Sequence, residues 1–464
     1  MKAYRALPLL LGMLAVNGCK DLTVPDFNNP SIDELTGDDA SRVAVVTAAQ
    51  GLFIRARTGI AARAGWVSNL GIIGRESFNF DAADPRFITE LLRDPLDGGN
   101  GAFGGNFWVT PYRGFREADI VLNALDALET MPDAEKNGIR GVAKTFQALF
   151  LLQVILTHDD NGAVVTVAAD PTGDPEPIVD KATVYSTIES LLDAGDADLG
   201  SAGASFASDL SFPSGFAGFD TPATFRQFNR ALRARVDVYQ GNFATALTNL
   251  GDSFLDDAAP FSLGVYYSYG TGSGDAVNSI FDPSGLIILA NVAIRTAAQV
   301  QTDGVTPDQR FVDKLRSVPT ATDQATLGLS SDLAFNLYNS ADAAVPIIRN
   351  EELIILRAEA NIAIGGAANL TAASADLNLI RAAAGLAPID LATMTASEQI
   401  DALLYERRYS LLFEGGHRWI DMRRYGRLAD LAADDQVAGL QLPSLFPFPV
   451  GECDARVPPP SSGC

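Results

Sequence analysis

The chain has 464 residues, with 34 Lys and Arg against 57 Asp and Glu and a formal net charge of −23. A hydrophobic share of 47% marks a folded protein with a large core, and so acidic a balance argues against a nucleic-acid partner, whose backbone requires clustered cations. The histidines are His158 and His417 and the cysteines Cys19, Cys453 and Cys464, which leaves few of the side chains that metal and acyl-transfer chemistry use.

Lys2 and Arg5 precede an apolar stretch, Leu7 to Val16, interrupted by Pro8 and Gly12. It is shorter than the roughly 20 residues of a membrane span, so residues 1–18 read as an export signal. Val16-Asn17-Gly18-Cys19 resembles a bacterial lipoprotein processing box. That resemblance implies that Cys19 becomes the first mature residue and carries acyl chains such as palmitate, two or three of which anchor a protein stably where one does not. Residues 19–36 read as lipid anchor and tether, because Pro25 and Pro30 break any helix. Cys453 and Cys464 bound a Pro-rich tail; in an oxidising compartment they form either a local disulfide or two separate thiols.

Helical periodicity predicts a helix from Asp38 to Arg63, with Asp39 or Ser41 as N-cap. From Gly65 to Phe107 the period dissolves into Gly, Asn, Asp and Phe, which reads as a loop-rich insertion. Helices resume at Tyr112–Thr130, Asp133–His158 and Ala182–Leu199. From Thr221, Phe225, Phe228, Ala231, Leu232, Arg235 and Val238 fall at three- and four-residue steps; Gly241-Asn242 breaks the chain, and Phe243, Ala246, Leu247 and Leu250 restart the period. This helix hairpin is similar to a tetratricopeptide unit. A related pair recurs at Glu351–Gly365 and Ala372–Ala384, and a more degenerate one at Ala118–Thr157. Their wide spacing excludes an uninterrupted solenoid. A second insertion, about 260–349, holds short β-rich or irregular pieces. Helices return to about Leu431, one of them running from Ser397 to Glu414 and stopping at Gly415-Gly416, and residues 432–464 form an irregular tail.

The strings PIIRNEELIILRAEANIAIGG, DLNLIRAAAGL, LLYERRYSLLFEGGHRWIDMRRYGRL and LFPFPVGE, within residues 346–449, together resemble the SusD/RagB family of outer-membrane nutrient-binding lipoproteins. FWVTPYRGFREADIVLNAL and the helix around Lys144–Leu156 extend the likeness over most of the chain. The resemblance implies a mainly α fold, in which tetratricopeptide-like helix hairpins form a scaffold for long loop-rich insertions. It implies one SusD-like domain over residues 37–464, lipid-anchored at the outer membrane and facing the cell surface. The implied function is binding without catalysis or cofactor. A nutrient, an oligosaccharide or else a peptide, is passed to a SusC-like TonB-dependent barrel. The other readings are a helical-repeat lipoprotein that scaffolds outer-membrane assembly and a secreted hydrolase. Arg349, Glu359, Arg381, Glu406, Arg407, Glu414, Arg418, Trp419 and Asp421 match the family's structural signature, where Arg–carboxylate forks lock the last helices.

For chemistry the chain has no G-x-S-x-G elbow, H-E-x-x-H helix or P-loop. His158-Asp159-Asp160 reads as a helix-ending turn. Asp94, Asp97 and Asn100 are a weak calcium candidate without the spacing of a calcium loop. A glycan site needs exposed aromatics flanked by polar groups, because sugars offer apolar C–H faces and hydroxyl edges. The first insertion offers Trp66, Arg75, Phe78, Asn79, Phe80, Asp81, Arg86, Asn100, Phe103 and Phe107; the second offers Tyr266, Tyr267, Tyr269 and Asn278. Trp108 is assigned to the core.

Overall fold

Three- and four-residue apolar steps give each helix a stripe that must be buried against a neighbour, and the chain meets this by packing helices in succession. The computed structural model describes residues 35, 41–99, 103, 106–168, 173–323 and 325–464. Cys19, the signal and the tether apart from Leu35 lie outside the described residues, as does Asn100.

In chain order the main elements are α1 (Arg42–Arg57), α2 (Trp66–Ile73), β1 (Ser77–Asn79), α3 (Asn106–Ala127), α4 (Asp133–His158), β2 (Ala163–Val164), β3 (Ile178–Val179), α5 (Lys181–Gly200), α6 (Pro222–Gln240) and α7 (Phe243–Gly251). There follow β4 (Gly264–Tyr267), β5 (Ile288–Ala290), β6 (Leu315–Thr322), β7 (Ser330–Phe335), β8 (Val345–Arg349), α8 (Asn350–Ile364), α9 (Ala367–Ala383), α10 (Ala396–Ser410) and α11 (His417–Arg424). Helix α3 packs on α4, α4 on α5, α5 on α6 and α6 on α7; α7 and α6 then meet α8, which also holds α9 and α10. The result is a mainly α scaffold of helix hairpins.

Local chemistry sets the ends of these helices. Ser41 accepts the Ala44 N–H at the start of α1. Thr221 and Thr224 form a capping box at α6 and Thr395 and Glu398 another at α10. Gly241, at φ 81°, ends α6 in the left-handed conformation that glycine adopts without penalty. Where α4 crosses α5, Gly141 and Gly195 allow close approach; a Cβ on Gly141 would lie 2.4 Å from Leu199 Cγ. Helix α4 is long and apolar enough to cross a membrane, yet 89% of its most apolar window is buried inside the protein. Phe53, Phe146, Phe216, Phe225 and Phe228 meet edge to face between α1, α4 and α6.

The structure departs from the sequence expectation at several elements. Helix α1 is shorter at both ends than Asp38–Arg63, and α10 stops at Ser410, four residues before Glu414. The first insertion is not a loop: it holds α2, whose residues Val67 to Ile73 are all buried, and β1. A helix covered on every side has no polar face and therefore no period to read. The two insertions also combine. β1 pairs with β5 (Ser77 opposite Ala290, Asn79 opposite Ile288), and β5 continues through β7 to the edge strand β6. β4 pairs with β8, placing Gly264 opposite Arg349 and Tyr267 opposite Val345. In the tail Cys453 and Cys464 are joined by a disulfide with Cα atoms 5.9 Å apart.

Candidate ligand-binding groove

The first insertion's aromatics face inward. Phe78 and Phe80 are buried and stacked with ring centres 5.4 Å apart. Phe103 is fully buried against Phe87, and Phe107 is buried beside Phe446. Arg75, 1% exposed, donates to Asp435 at 2.5 Å and to the Gln441 carbonyl at 2.8 Å, clamping the tail. Asn79 is buried, and Trp66 is half-buried with its indole N–H on the Gly415 carbonyl at 3.0 Å. These positions are core, so the expectation of an exposed aromatic platform does not describe them. The described polar candidates are already paired: half-buried Asp81 with Arg63 at 2.8 Å, and exposed Arg86 with Asp84, its guanidinium 5.1 Å from the ring centre of Phe103. Asp94 pairs with Arg93, and Asp97 accepts the Gly99 N–H. Among the described residues no three His, Cys, Asp or Glu side chains gather as a metal-binding group.

The second insertion behaves differently. Alternation along β4 turns Tyr267 into the core, where it accepts from Gln153 at 3.3 Å, and leaves Tyr266 half-buried. Tyr269 is half-buried, with its hydroxyl on the Arg57 carbonyl at 3.3 Å and the Arg57 guanidinium 5.9 Å from its ring centre. These three tyrosines line one groove of about 360 Å³ with Gln50, Ile54 and Arg57 of α1, the Ser211–Ser214 loop including Phe212, and Asp275. Arg57 bridges the groove, bonded to Asp275 and to the Ser268 carbonyl. Burial pushes the Tyr266, Tyr267 and Tyr269 phenols up, so all three stay neutral hydroxyls in the physiological range. Rings, an amide, a guanidinium and a carboxylate on one concave surface suit a ligand with apolar C–H faces and hydroxyl edges. Asn278 is buried instead, tied to the Ala343 carbonyl.

Sequence reasoning did not find Gln50, Arg57 or Phe212, because the contacts that bring α1 and the 211–214 loop to β4 span long stretches of chain. Asp275 lies in the Gly/Ser loop after the tyrosines, and that loop was the available signal.

The C-terminal carboxylates are sealed between cations. Arg407 reaches Asp421 at 2.6 Å and Glu359 at 3.3 Å; Arg424 reaches Glu359 at 2.7 Å, and Tyr425 donates to it at 2.9 Å. Glu406 sits between Arg310 and Arg381, and Asp434 between Arg408 and Arg418. Glu414 takes Arg349 and Lys314, both at 2.8 Å; burial pushes it up, but these cations outweigh burial and hold it at about 2. Trp419 is buried, with its N–H on the Pro443 carbonyl at 2.7 Å. Burial pushes both His158 and His417 down to about 4, so each is neutral at pH 7. Carboxylates enclosed in this way lock helices together and cannot reach a dissolved substrate.

Residues 334–444 match the SusD family. Among curated protein sequences none matches the chain. The fold is that of solved SusD-superfamily structures: one from Bacteroides vulgatus superposes with a TM-score of 0.69 at 14% identity, covering 90% of this chain and 98% of the other. A laminarin-binding SusD-like protein gives a TM-score of 0.57 at 16% identity over 89% and 96% of the two chains. Surface glycan-binding protein A from Bacteroides uniformis gives 0.60 at 17% identity over 82% and 88%. The C-terminal part of the chain thus matches the SusD family model, and the chain as a whole shares the fold of SusD-superfamily structures.

Proposed function

We propose that this protein is a non-catalytic, lipid-anchored protein of the outer membrane, facing the cell surface. It holds an oligosaccharide and hands it to a TonB-dependent barrel. The observation that carries the reading is the tyrosine groove between α1 and β4, set on a SusD-like scaffold. Two structural neighbours, the laminarin-binding protein and the surface glycan-binding protein, are glycan binders, which supports a saccharide over other cargo. Transfer needs only affinity and release, so enclosed carboxylates are no handicap. In this reading residues 1–18 are the export signal, Cys19 carries lipid, residues 19–36 are the tether, and residues 37–464 act as one domain. Arg57 and Asp275 supply hydrogen bonds to hydroxyl edges, while Tyr266, Tyr269 and Phe212 meet C–H faces.

Affinity purification from membranes tests the partner: a large β-barrel with a plug domain is expected, and recovery of the barrel-assembly machinery instead overturns the reading. Calorimetry with oligosaccharides and peptides tests the ligand; a peptide bound in preference to every saccharide overturns the glycan assignment.

A further inference from the structure

A second groove, of about 380 Å³, is lined largely by α3 and shares no residue with the first. Val109, Tyr112 and Phe115 of α3 form its floor with Val164 and Val167, and Arg113 and Arg116 stand in its wall. The chain has 57 acidic and 34 basic residues, and its cations are almost all taken. Among the described residues, every Lys and Arg except Arg113, Arg116, Lys136 and Arg316 stands in an ion pair. Two of these exceptions lie three residues apart on one helix, on neighbouring turns of the same face, with Cβ atoms about 5–6 Å apart. Arg113 is exposed, and Arg116 gives a single hydrogen bond, to the Ala168 carbonyl at 3.3 Å.

Neither carboxylate in the same lining bonds to them. Glu452 is held by Arg456 at 2.9 Å and accepts the Trp108 indole N–H at 3.2 Å; Glu176 accepts the Thr166 hydroxyl at 2.9 Å. Among the described residues neither guanidinium stands in an ion pair; Asp119, one turn on, feels the charge of Arg116, and a bound anion supplies the partner that both lack. Acidic groups elsewhere on the surface act weakly beyond about 8 Å at physiological salt. The apolar floor is fixed before any ligand arrives: the Tyr112 hydroxyl donates to the Val164 carbonyl at 2.8 Å and accepts the Val164 N–H at 2.6 Å, so its ring cannot swing away.

We infer that this groove is a second saccharide site, specific for an acidic sugar. The carboxylate of a uronic acid residue lies in the fork of Arg113 and Arg116, and its C–H face lies on Tyr112 and Val109. Arginine suits this role because its planar donors match a carboxylate in pairs. The inference rests on the reading that the protein binds glycans, and it adds a charge preference that the tyrosine groove does not have.

The test is calorimetry on the intact soluble chain with oligogalacturonides, oligomannuronates and glucuronate-bearing xylo-oligosaccharides, beside their neutral counterparts and oligoglutamate peptides. Each is titrated into wild type, R113Q/R116Q and Y266A/Y269A. At least one acidic saccharide is expected to bind wild type with an affinity that falls as salt rises. R113Q/R116Q is expected to weaken it about ten- to a hundredfold and Y266A/Y269A to leave it unchanged. Neutral saccharides are expected to show the reverse dependence. Equal affinity of wild type for acidic and neutral saccharides, or acidic binding indifferent to R113Q/R116Q, overturns the inference and leaves the proposed function standing. Failure of every saccharide to bind, with or without capture of the peptides, overturns both.

Discussion

Glu76 links the first insertion to the C-terminal signature, and its ionisation is expected to weaken the protein as pH rises. It lies between α2 and β1, 1% exposed. One carboxylate oxygen accepts the Phe413 N–H at 3.2 Å, and the other has no hydrogen-bond partner. Burial raises its pKa from 4.5 to about 7, and the Phe413 N–H with the more distant Arg418, Arg408 and Lys314 offsets only part of the effect. A group whose pKa is higher in the folded state favours folding while protonated. Its contribution is complete below the unfolded value of 4.5 and is lost as pH rises through about 7. A difference of about 2.5 units corresponds to about 3 kcal/mol at full ionisation. Glu76→Gln keeps the acceptor for Phe413 and removes the charge. Urea unfolding at pH 4.5 and at pH 8 is the assay. Relative to wild type, the variant is expected to gain about 3 kcal/mol more at pH 8 than at pH 4.5. A wild-type-minus-variant difference that does not change with pH would refute the reasoning, because Glu76 would then titrate as an ordinary exposed carboxylate.

Three further outcomes are expected. Arg407→Met strips a 1%-exposed guanidinium from Asp421 and Glu359; Arg424 still reaches both, so a loss of about 3 kcal/mol is expected in denaturant unfolding. Gly416→Ala places a Cβ 2.4 Å from that of Leu70 at a φ of 76°, and a loss of about 1–3 kcal/mol in the same assay is expected because both the left-handed backbone and the packing resist it. Cys19→Ser is expected to move the protein from the membrane to the soluble fraction on cell fractionation, since no acyl chain can then attach.

The scaffold was legible wherever one helix face is written in polar residues. Phe225, Phe228, Leu232 and Val238 repeat with the helical period because Arg230, Arg233 and Asp237 alternate with them, keeping a polar face in the sequence although Phe228 to Val238 are all buried, and Gly241 marks the end of α6. The same reading fails on α2, where the period vanishes because no face is exposed. It fails again on β1, whose partner β5 lies far along the chain and is chosen by register and burial that no local pattern carries. The site was half legible for a related reason. Phe78-Asn79-Phe80 has the alternation of a one-sided strand, yet all three residues are buried because β1 is covered on both faces. In Gly264–Tyr267 burial does alternate, and Tyr266 does reach the groove. Arg57 and Phe212 complete that groove from segments with nothing in their own sequence to announce a site.

Glycan binding by the tyrosine groove is the central claim, and isothermal calorimetry with neutral gluco-, manno-, xylo- and galacto-oligosaccharides tests it most directly. At least one of them is expected to bind the wild-type protein, and Tyr266→Ala with Tyr269→Ala is expected to lower that affinity about tenfold or more while the fold survives. Absence of binding by every saccharide, or an affinity unchanged by the double substitution, would contradict it.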